Sequence, residues 1–355
     1  MLTETVAGRT YDYSHNVGRG AQTGMGFNNP VAMALDATGI VYVVNRGSES
    51  ISNVPWDRTG VGQRISKVSL GSRTGEEEYV GEFSRYGSAP GQLIWPAGVA
   101  VDAQDRIYVT DEWLNRVSVF DSAGNFLSCW DVVQPGESEP NGASGIAFDA
   151  NSNTLFITDG RSHKVRKFTT EGAFLGSWGS LGSGPDELDS PWGIAVDNDS
   201  YVYVADHKNH RVQKFTPDGE FVAQIGAPGT KRSALSYPTD VAVDPDGDVY
   251  ICAWNKNAWD RGRVQIFTPD GRFLTGLVGD AQQLSMWAEM TVAANTDYLK
   301  RRREVYSTEP EWTFAQPTAV TYDAIHQRLL VADTQRSRIQ IYNKLANYLV
   351  PQMNL

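Results

Sequence analysis

Six times along the chain a short alternating segment ends in aspartate, turns, and resumes as a second apolar run, and this self-repeat restricts the fold before any motif is considered. The copies begin PVAMALD (30–36), PAGVAVD (96–102), ASGIAFD (143–149), PWGIAVD (191–197), PTDVAVD (238–244) and PTAVTYD (317–323). In the middle copies Asp102, Asp149, Asp197 and Asp244 recur about every 47 residues, while the outer intervals carry insertions. Copy four shows the unit: GIAVD, a turn at 198–200, YVYVADHKNH, then RVQKF, the turn TPDG and FVAQIG. Apolar and polar residues alternate within each run and Gly, Pro, Asn or Asp separates the runs, which predicts four short antiparallel strands. One such sheet cannot bury both of its faces, so the units must pack in series. Six units without a capping repeat favour a closed ring over an open solenoid. The expectation is an all-β, six-bladed β-propeller forming one domain over residues 1–355, because no linker or shift of composition divides the chain.

Ring closure needs both termini, and both offer a strand. The run RIQIYNKLANYLV (338–350) matches strands three and four of the unit, while residues 11–30 match the end of a unit such as FLGSWGSLGSGPDELDSP (174–191). Both cannot be the same fourth strand. Either the N-terminal segment adds an extra outer strand to blade six, or one of the two is displaced.

The segment PWGIAVD…VYVADHKNHRVQKFTPDGEFVAQIG in copy four resembles the NHL repeat, a six-bladed propeller family, and the resemblance extends over nearly the whole chain. Departures from the repeat are then the informative positions. Peptide-amidating lyases resemble the same ring and carry metal-binding histidines on the innermost strands. Here the residues after the repeat prolines are Val31, Ala97, Trp192, Thr239 and Thr318, none of them histidine.

In a propeller the loops from strand two to three and from strand four to the next blade share one face, the top. The turns of the opposite face stay short here (DATG, DNDS, DPDG, TPDG, TTEG), all ordinary hairpin chemistry. The long segments belong to the top: residues 45–63 in blade one, 253–262 in blade five, and the largest insertion, 279–316, between blades five and six. Insertions cost little on any exposed turn, so chance would scatter them over both faces; their one-sidedness marks the top as the working face. The largest predicts a helical lid, with Asp280 and Gln283 as a capping box and Leu284, Trp287, Met290 or Thr291, Ala294 and Tyr298 at helical spacing. Lys300, Arg301, Arg302 and Arg303 fall near its end, either solvated at the helix C-terminus or with one arginine, such as Arg301, turned inward onto an anionic ligand.

The net charge of −11 argues against a nucleic-acid partner, whose phosphates demand clustered Lys and Arg. The N-terminal MLTETVAGRTYDYSH lacks a charged start followed by an apolar core, and no run reaches membrane-spanning length, so the sequence reads as cytoplasmic without a membrane partner. The two cysteines, Cys129 and Cys252, lie in different blades and read as buried small hydrophobes. No Walker loop, dinucleotide fingerprint, G-x-S-x-G elbow or C-x-x-C occurs, so no cofactor is expected.

Asp111, Asp159, Asp206 and Asp333 end second strands where the top loops begin. As ligands they would form a carboxylate ring at the channel mouth suited to a divalent cation such as calcium; as braces they would pair with the arginine of contexts such as DHKNHRV. Asn45 and Ala253 replace them in the two blades with enlarged loops, either because a brace for a short loop is not needed there or because a pocket lined by Arg46, Trp254 and Trp259 opens near those blades. His207 follows Asp206 and is the best histidine for proton transfer. His207 and His210 are spaced to chelate zinc but lack a third ligand, and no metal set is assigned. His163 and His210 precede third strands at a position where the NHL pattern often carries histidine, and read as structural. Asp240 stands where copies two to four carry Gly98, Gly145 and Gly193, at the start of an innermost strand, and Trp192 lies at the same mouth.

Two functions follow. In the first, a lyase or hydrolase acts on an anionic small molecule in a top-face pocket, with Asp240, His207 and Asp206 as catalytic groups and Arg46, Trp192, Trp254, Trp259, Tyr298 and Arg301 binding substrate. In the second, the top face binds a protein or peptide without catalysis, anchored by Trp56, Trp113, Trp254 and Trp259. A deep pocket under the 279–316 insertion, holding at least two convergent ionisable groups, distinguishes the first from a flat top with outward tryptophans.

Overall fold

The computed structural model describes residues 3–51, 58–133, 142–229, 231–254, 262–295, 297, 300 and 312–346. Six antiparallel sheets follow one another in chain order. Blade one comprises Pro30–Leu35, Val41–Asn45, Arg64–Ser69 and Glu78–Phe83, with a side hairpin Ser48–Ile51/Arg58–Val61 between its second and third strands. Blades two, three, four and five begin with Pro96–Val101, Ala143–Asp149, Pro191–Val196 and Pro238–Val243, and end with Phe126–Asp131, Phe174–Trp178, Phe221–Ile225 and Phe273–Leu277. Blade six has five strands, in spatial order Pro317–Asp323, Arg328–Asp333, Arg338–Ala346, Arg9–Val17 and Thr3–Val6.

The alternation seen in the sequence divides each second strand between two seams. Ile107 and Val109 pack with blade one, whereas Tyr108 between them packs with blade three. Val202 and Val204 likewise face blade three while Tyr203 faces blade five. Second strands are therefore buried on both faces, Val41–Asn45 and Val202–Asp206 throughout. Fourth strands at the perimeter are open, as at Leu127 and Leu175, each about half exposed. The core lies between blades rather than within them.

The repeat aspartate closes the bottom of each unit. Asp197 accepts the backbone N–H groups of Asp199 (3.0 Å) and Tyr201 (2.9 Å) and the Tyr203 hydroxyl (3.0 Å). Asp102 does the same for Gln104, Arg106 and Tyr108, and Asp244 for Asp246, Asp248 and Tyr250. One buried carboxylate thus satisfies the turn and the phenol two residues into the next strand, which is why Asp and Tyr recur together.

Closure follows the second of the two routes, with an outer strand added. Residues 338–346 supply only the third strand of blade six; the N-terminal Arg9–Val17 pairs with it as the fourth, and Thr3–Val6 is the extra outer strand. Residues 347–355 lie outside the described chain. Across the neighbouring seam, Lys344 reaches Asp246 (2.8 Å), Asp248 (3.0 Å) and Asp244 of blade five.

The large insertion does form a helix, Met286–Ala294, but Asp280 does not cap it. Ser285 does, its Oγ accepting from Ala288 N (3.2 Å), and Glu77 Oε1 accepts from Met286 N (2.8 Å), a negative charge on the positive end of the helix. Asp280 is instead buried before the helix, its N–H donating to Gln340 Oε1 (2.9 Å). Trp287 is fully buried between Phe27 (6.1 Å) and Tyr79 (6.5 Å), among residues of blades six and one. No residue of this helix lines the central channel. Its described part is a clasp on the closing seam at the outer rim. No described helix is long and apolar enough to cross a membrane.

Cys252 is buried as expected, but Cys129 is exposed, because its fourth strand is a perimeter strand with an open face. Trp287→Ala is expected to cost about 3–5 kcal/mol, the loss typical of a fully buried indole, read as a lower denaturation midpoint in urea. A loss under about 1 kcal/mol would show that the seam closes without the clasp.

Candidate functional site

First strands run down the ring axis and line a channel of about 300 Å³ whose wall is mostly Ala, Val, Ile and Gly. The wall is tight where the blades meet near the top. A Cβ on Gly145 would fall 2.4 Å from Trp192 O, and one on Gly193 would fall 2.2 Å from Asp240 Oδ1 and 2.5 Å from Asp240 Cα. Glycine at those positions lets successive first strands approach, and Gly193 makes the room that Asp240 occupies.

Asp240 is the only carboxylate among the described channel-lining residues. Its Oδ2 accepts from Val320 N of blade six (3.0 Å). It is partly open to the channel lumen but enclosed by the ring on every side, and with no cationic partner among the described residues this burial pushes its carboxyl up to about 7.

Above the channel, the residue after each second strand forms a rim: Arg46, Glu112, Gly160, His207, Trp254 and Thr334. Several of these side chains brace the next blade. Arg46 pairs with Glu112 (2.5 Å) and lies over Trp95; Glu112 Oε1 accepts from Ser144 Oγ (3.0 Å); Thr334 Oγ1 donates to Pro30 O (2.6 Å). His207 Nδ1 lies 3.0 Å from Pro238 O. A carbonyl only accepts, so Nδ1 carries the proton. Burial, the largest effect, holds the imidazole pKa below its ordinary 6.5, with neighbouring His210 and Lys208 acting in the same direction. Neutral His207 therefore presents a lone pair at Nε2.

Gly160 interrupts the rim. Beside it lies a hollow of about 170 Å³ lined by Glu112, Ser144, Arg161, Ser190, Trp192 and His207, with Gly142, Gly160 and Pro191. Trp192 also borders the channel, so it is the partition between the hollow and the compartment of Asp240. It packs edge-on against His207 (5.1 Å) and Trp254 (5.0 Å).

The predicted residues fall into four groups. His207 and Trp192 share the hollow, and Trp254 backs it, its buried indole N–H without a partner among the described residues. Asp240 lies on the channel side of Trp192. Asp206 is fully buried and spent on its loop, accepting from Asp189 N (2.7 Å), Asn209 Nδ2 (2.9 Å) and Arg211 Nε (2.8 Å), which leaves it no face toward the hollow. Arg46 is likewise engaged by Glu112 and does not line the hollow. Trp259, Tyr298 and Arg301, like Trp56, lie outside the described residues.

The remaining candidate cation ligands are braces as well. Asp111 accepts from Ile94, Trp95, Trp113 and Leu114 N–H groups, Asp159 from Gly142 N and Arg166, and Asp333 from Ala315 N and Arg338. Asn45 does the same work without charge, accepting from Asn28 N (2.8 Å). Among the described residues, no three His, Cys, Asp or Glu side chains converge as a metal set. His163 and His210 accept the backbone N–H groups of Ser190 (3.0 Å) and Tyr237 (2.9 Å), fixing the chain as it enters the next blade. His15, which carried no signal in the sequence, is buried at the closing seam against Leu70 O (2.8 Å).

Comparison with known proteins bears on these blades. The family model described as SMP-30/gluconolactonase/LRE-like region matches residues 101–240, the blades that frame the hollow. The chain is also similar to solved propeller structures across most of its length. They share its fold. A protein of unknown function from Bacteroides thetaiotaomicron is 19% identical, with TM-score 0.59, over 95% of this chain and 76% of that one. A streptogramin B lyase is 13% identical, with TM-score 0.54, over 94% and 98%. A catalytically inactive virginiamycin B lyase from Staphylococcus aureus, solved with quinupristin, is 13% identical, with TM-score 0.53, over 93% and 98%. Among curated proteins, protein lin-41 of Caenorhabditis elegans is 46% identical over 46 residues, 13% of this chain and 4% of that protein.

Glu112, Ser144, Gly160 and Arg161 were missed from the sequence. Aligning the residue after each second strand across the copies would have exposed Gly160, the one position without a side chain.

Asp240 holds its proton more tightly folded than unfolded. Its contribution to stability is whole below its ordinary 3.8 and is lost as pH rises to about 7. Asp240→Asn removes that titration, so the variant should gain on the wild type by a few kcal/mol between those limits and then level off, as read by urea denaturation at a series of pH values. A difference independent of pH would show an ordinary carboxylate.

Proposed function

We propose that the protein is a lyase or hydrolase acting on a small anionic molecule at the top-face hollow, with His207 as the proton acceptor. The observation that carries this reading is the placement of His207: its Nδ1–H is committed to Pro238 O, burial lowers its pKa, and its ring borders the same hollow as Glu112 and Arg161. Such an imidazole accepts a proton through Nε2, from an attacking water in a hydrolase or from carbon beside a leaving group in a lyase. Glu112 and Arg161 line the same space, one paired with Arg46 and the other available to an anion. Asp240, protonated near neutrality behind Trp192, is the second proton-bearing group of the proposal.

Support at the level of class comes from the gluconolactonase-like family match and from the lyases that share the fold. We read the blades as NHL-like on the aspartate-bracketed loops quoted above. A protein- or peptide-binding top face is the weaker reading, because Trp192 and Trp254 pack inward around His207; Trp113, 45% exposed, is the tryptophan that favours it.

The test is turnover of small carboxylate-bearing esters and lactones by the wild type and by His207→Gln. The variant should lose about 10²–10⁴-fold in kcat, and wild-type activity should fall with acid only below pH 6.5, since the imidazole pKa is lowered. Full activity in the variant, or no turnover of any of these by the wild type, contradicts the proposal.

A further inference from the structure

The gap at Gly160 limits what the hollow can hold. A Cβ there would meet Pro191 O at 3.1 Å and Ser144 Oγ at 3.4 Å, and the backbone is not left-handed, so a small side chain would fit with slight adjustment. What a larger side chain would remove is the hollow itself. Its 170 Å³ corresponds to about five or six waters at roughly 30 Å³ each, or a ligand of about six heavy atoms. Arg161 stands at its edge on a fixed base, its backbone N–H donating to Asp159 Oδ1 (3.2 Å). Among the described residues its guanidinium pairs with no carboxylate. Across the hollow, Glu112 holds a negative charge that Arg46 already neutralises from outside and that Ser144 further anchors. One wall therefore attracts a carboxylate, while the other offers an acceptor to a hydroxyl and no donor to a second carboxylate.

We infer that the hollow beside Gly160 seats a small hydroxy-monocarboxylate, with its carboxylate on Arg161 and its hydroxyl toward Glu112 and His207. This rests on the reading of the rim as a small-molecule site and names the chemical class that site takes. A guanidinium–carboxylate pair is directional and strong for its size. Glu112 has no donor to give a second carboxylate and the hollow has little room for one, so a dicarboxylate such as malate is a poor ligand.

Calorimetric titration of the full chain with lactate, lactamide and malate tests it. Lactate should bind saturably, and lactamide and malate about tenfold more weakly or not at all. Arg161→Gln should weaken lactate by about tenfold or more, and Gly160→Val should abolish binding by filling the gap. Circular dichroism confirms that each variant is folded; should the valine variant not fold, the exposed Arg161 variant still decides. Absence of lactate binding, equal affinity for lactamide or malate, or unchanged affinity in Arg161→Gln overturns the inference. Binding and turnover separate this from the catalytic reading: a wild type that turns over substrate without binding lactate sinks only the carboxylate assignment. Lactate binding with full turnover in His207→Gln sinks only the proton-transfer role.

Discussion

A four-stranded antiparallel sheet has two apolar faces and nothing within itself to cover them, so each blade is stable only because two neighbours bury it. Tyr203 and Val204 are adjacent in sequence yet belong to different seams, one shared with blade five and the other with blade three. The consequence is that the ring must close, since an open ring would leave two faces in water. The N-terminal strand, the helix clasp around Trp287 and the Lys344 cluster all lie on or beside the seams of blade six, where closure is made.

Close packing of six sheets leaves little polar space, and what there is arises where the repeat is broken. The regular aspartates serve the backbone: the bottom set holds the hairpin turns and the phenols, and the top set holds the loops together with their arginines. Asp206 has the composition of a catalytic residue and the surroundings of a brace. Asp240 replaces a glycine on the channel wall, and Gly160 replaces a side chain on the rim. Between them stands Trp192, which borders two small compartments: a channel holding one carboxyl whose pKa is raised by burial, and a hollow that brings together an imidazole, a carboxylate and a guanidinium.

The fold was legible in the sequence because its signal is repeated six times, so local alternation, turn chemistry and the terminal Asp all agree. The helix in the insertion was legible by periodicity, but its start was not. Asp280 and Ser285 are both good caps, and what decides between them is Glu77, more than two hundred residues away, reaching the Met286 N–H. The site was legible only in part. His207, Trp192 and Asp240 could be found as departures from the repeat. That Arg46 would be consumed by Glu112 depends on how adjacent blades meet, which no single copy contains. A hollow created by the absence of a side chain carries no motif at all.

The claim on which the functional account turns is the state of His207 at neutral pH. Nitrogen-15 and proton NMR of the labelled imidazole, followed through an acid titration, reads it directly. The account predicts the Nδ1–H tautomer at neutral pH, with an unprotonated Nε2 and a midpoint below the ordinary 6.5. An imidazolium at neutral pH, or a proton on Nε2 with Nδ1 bare, would contradict it.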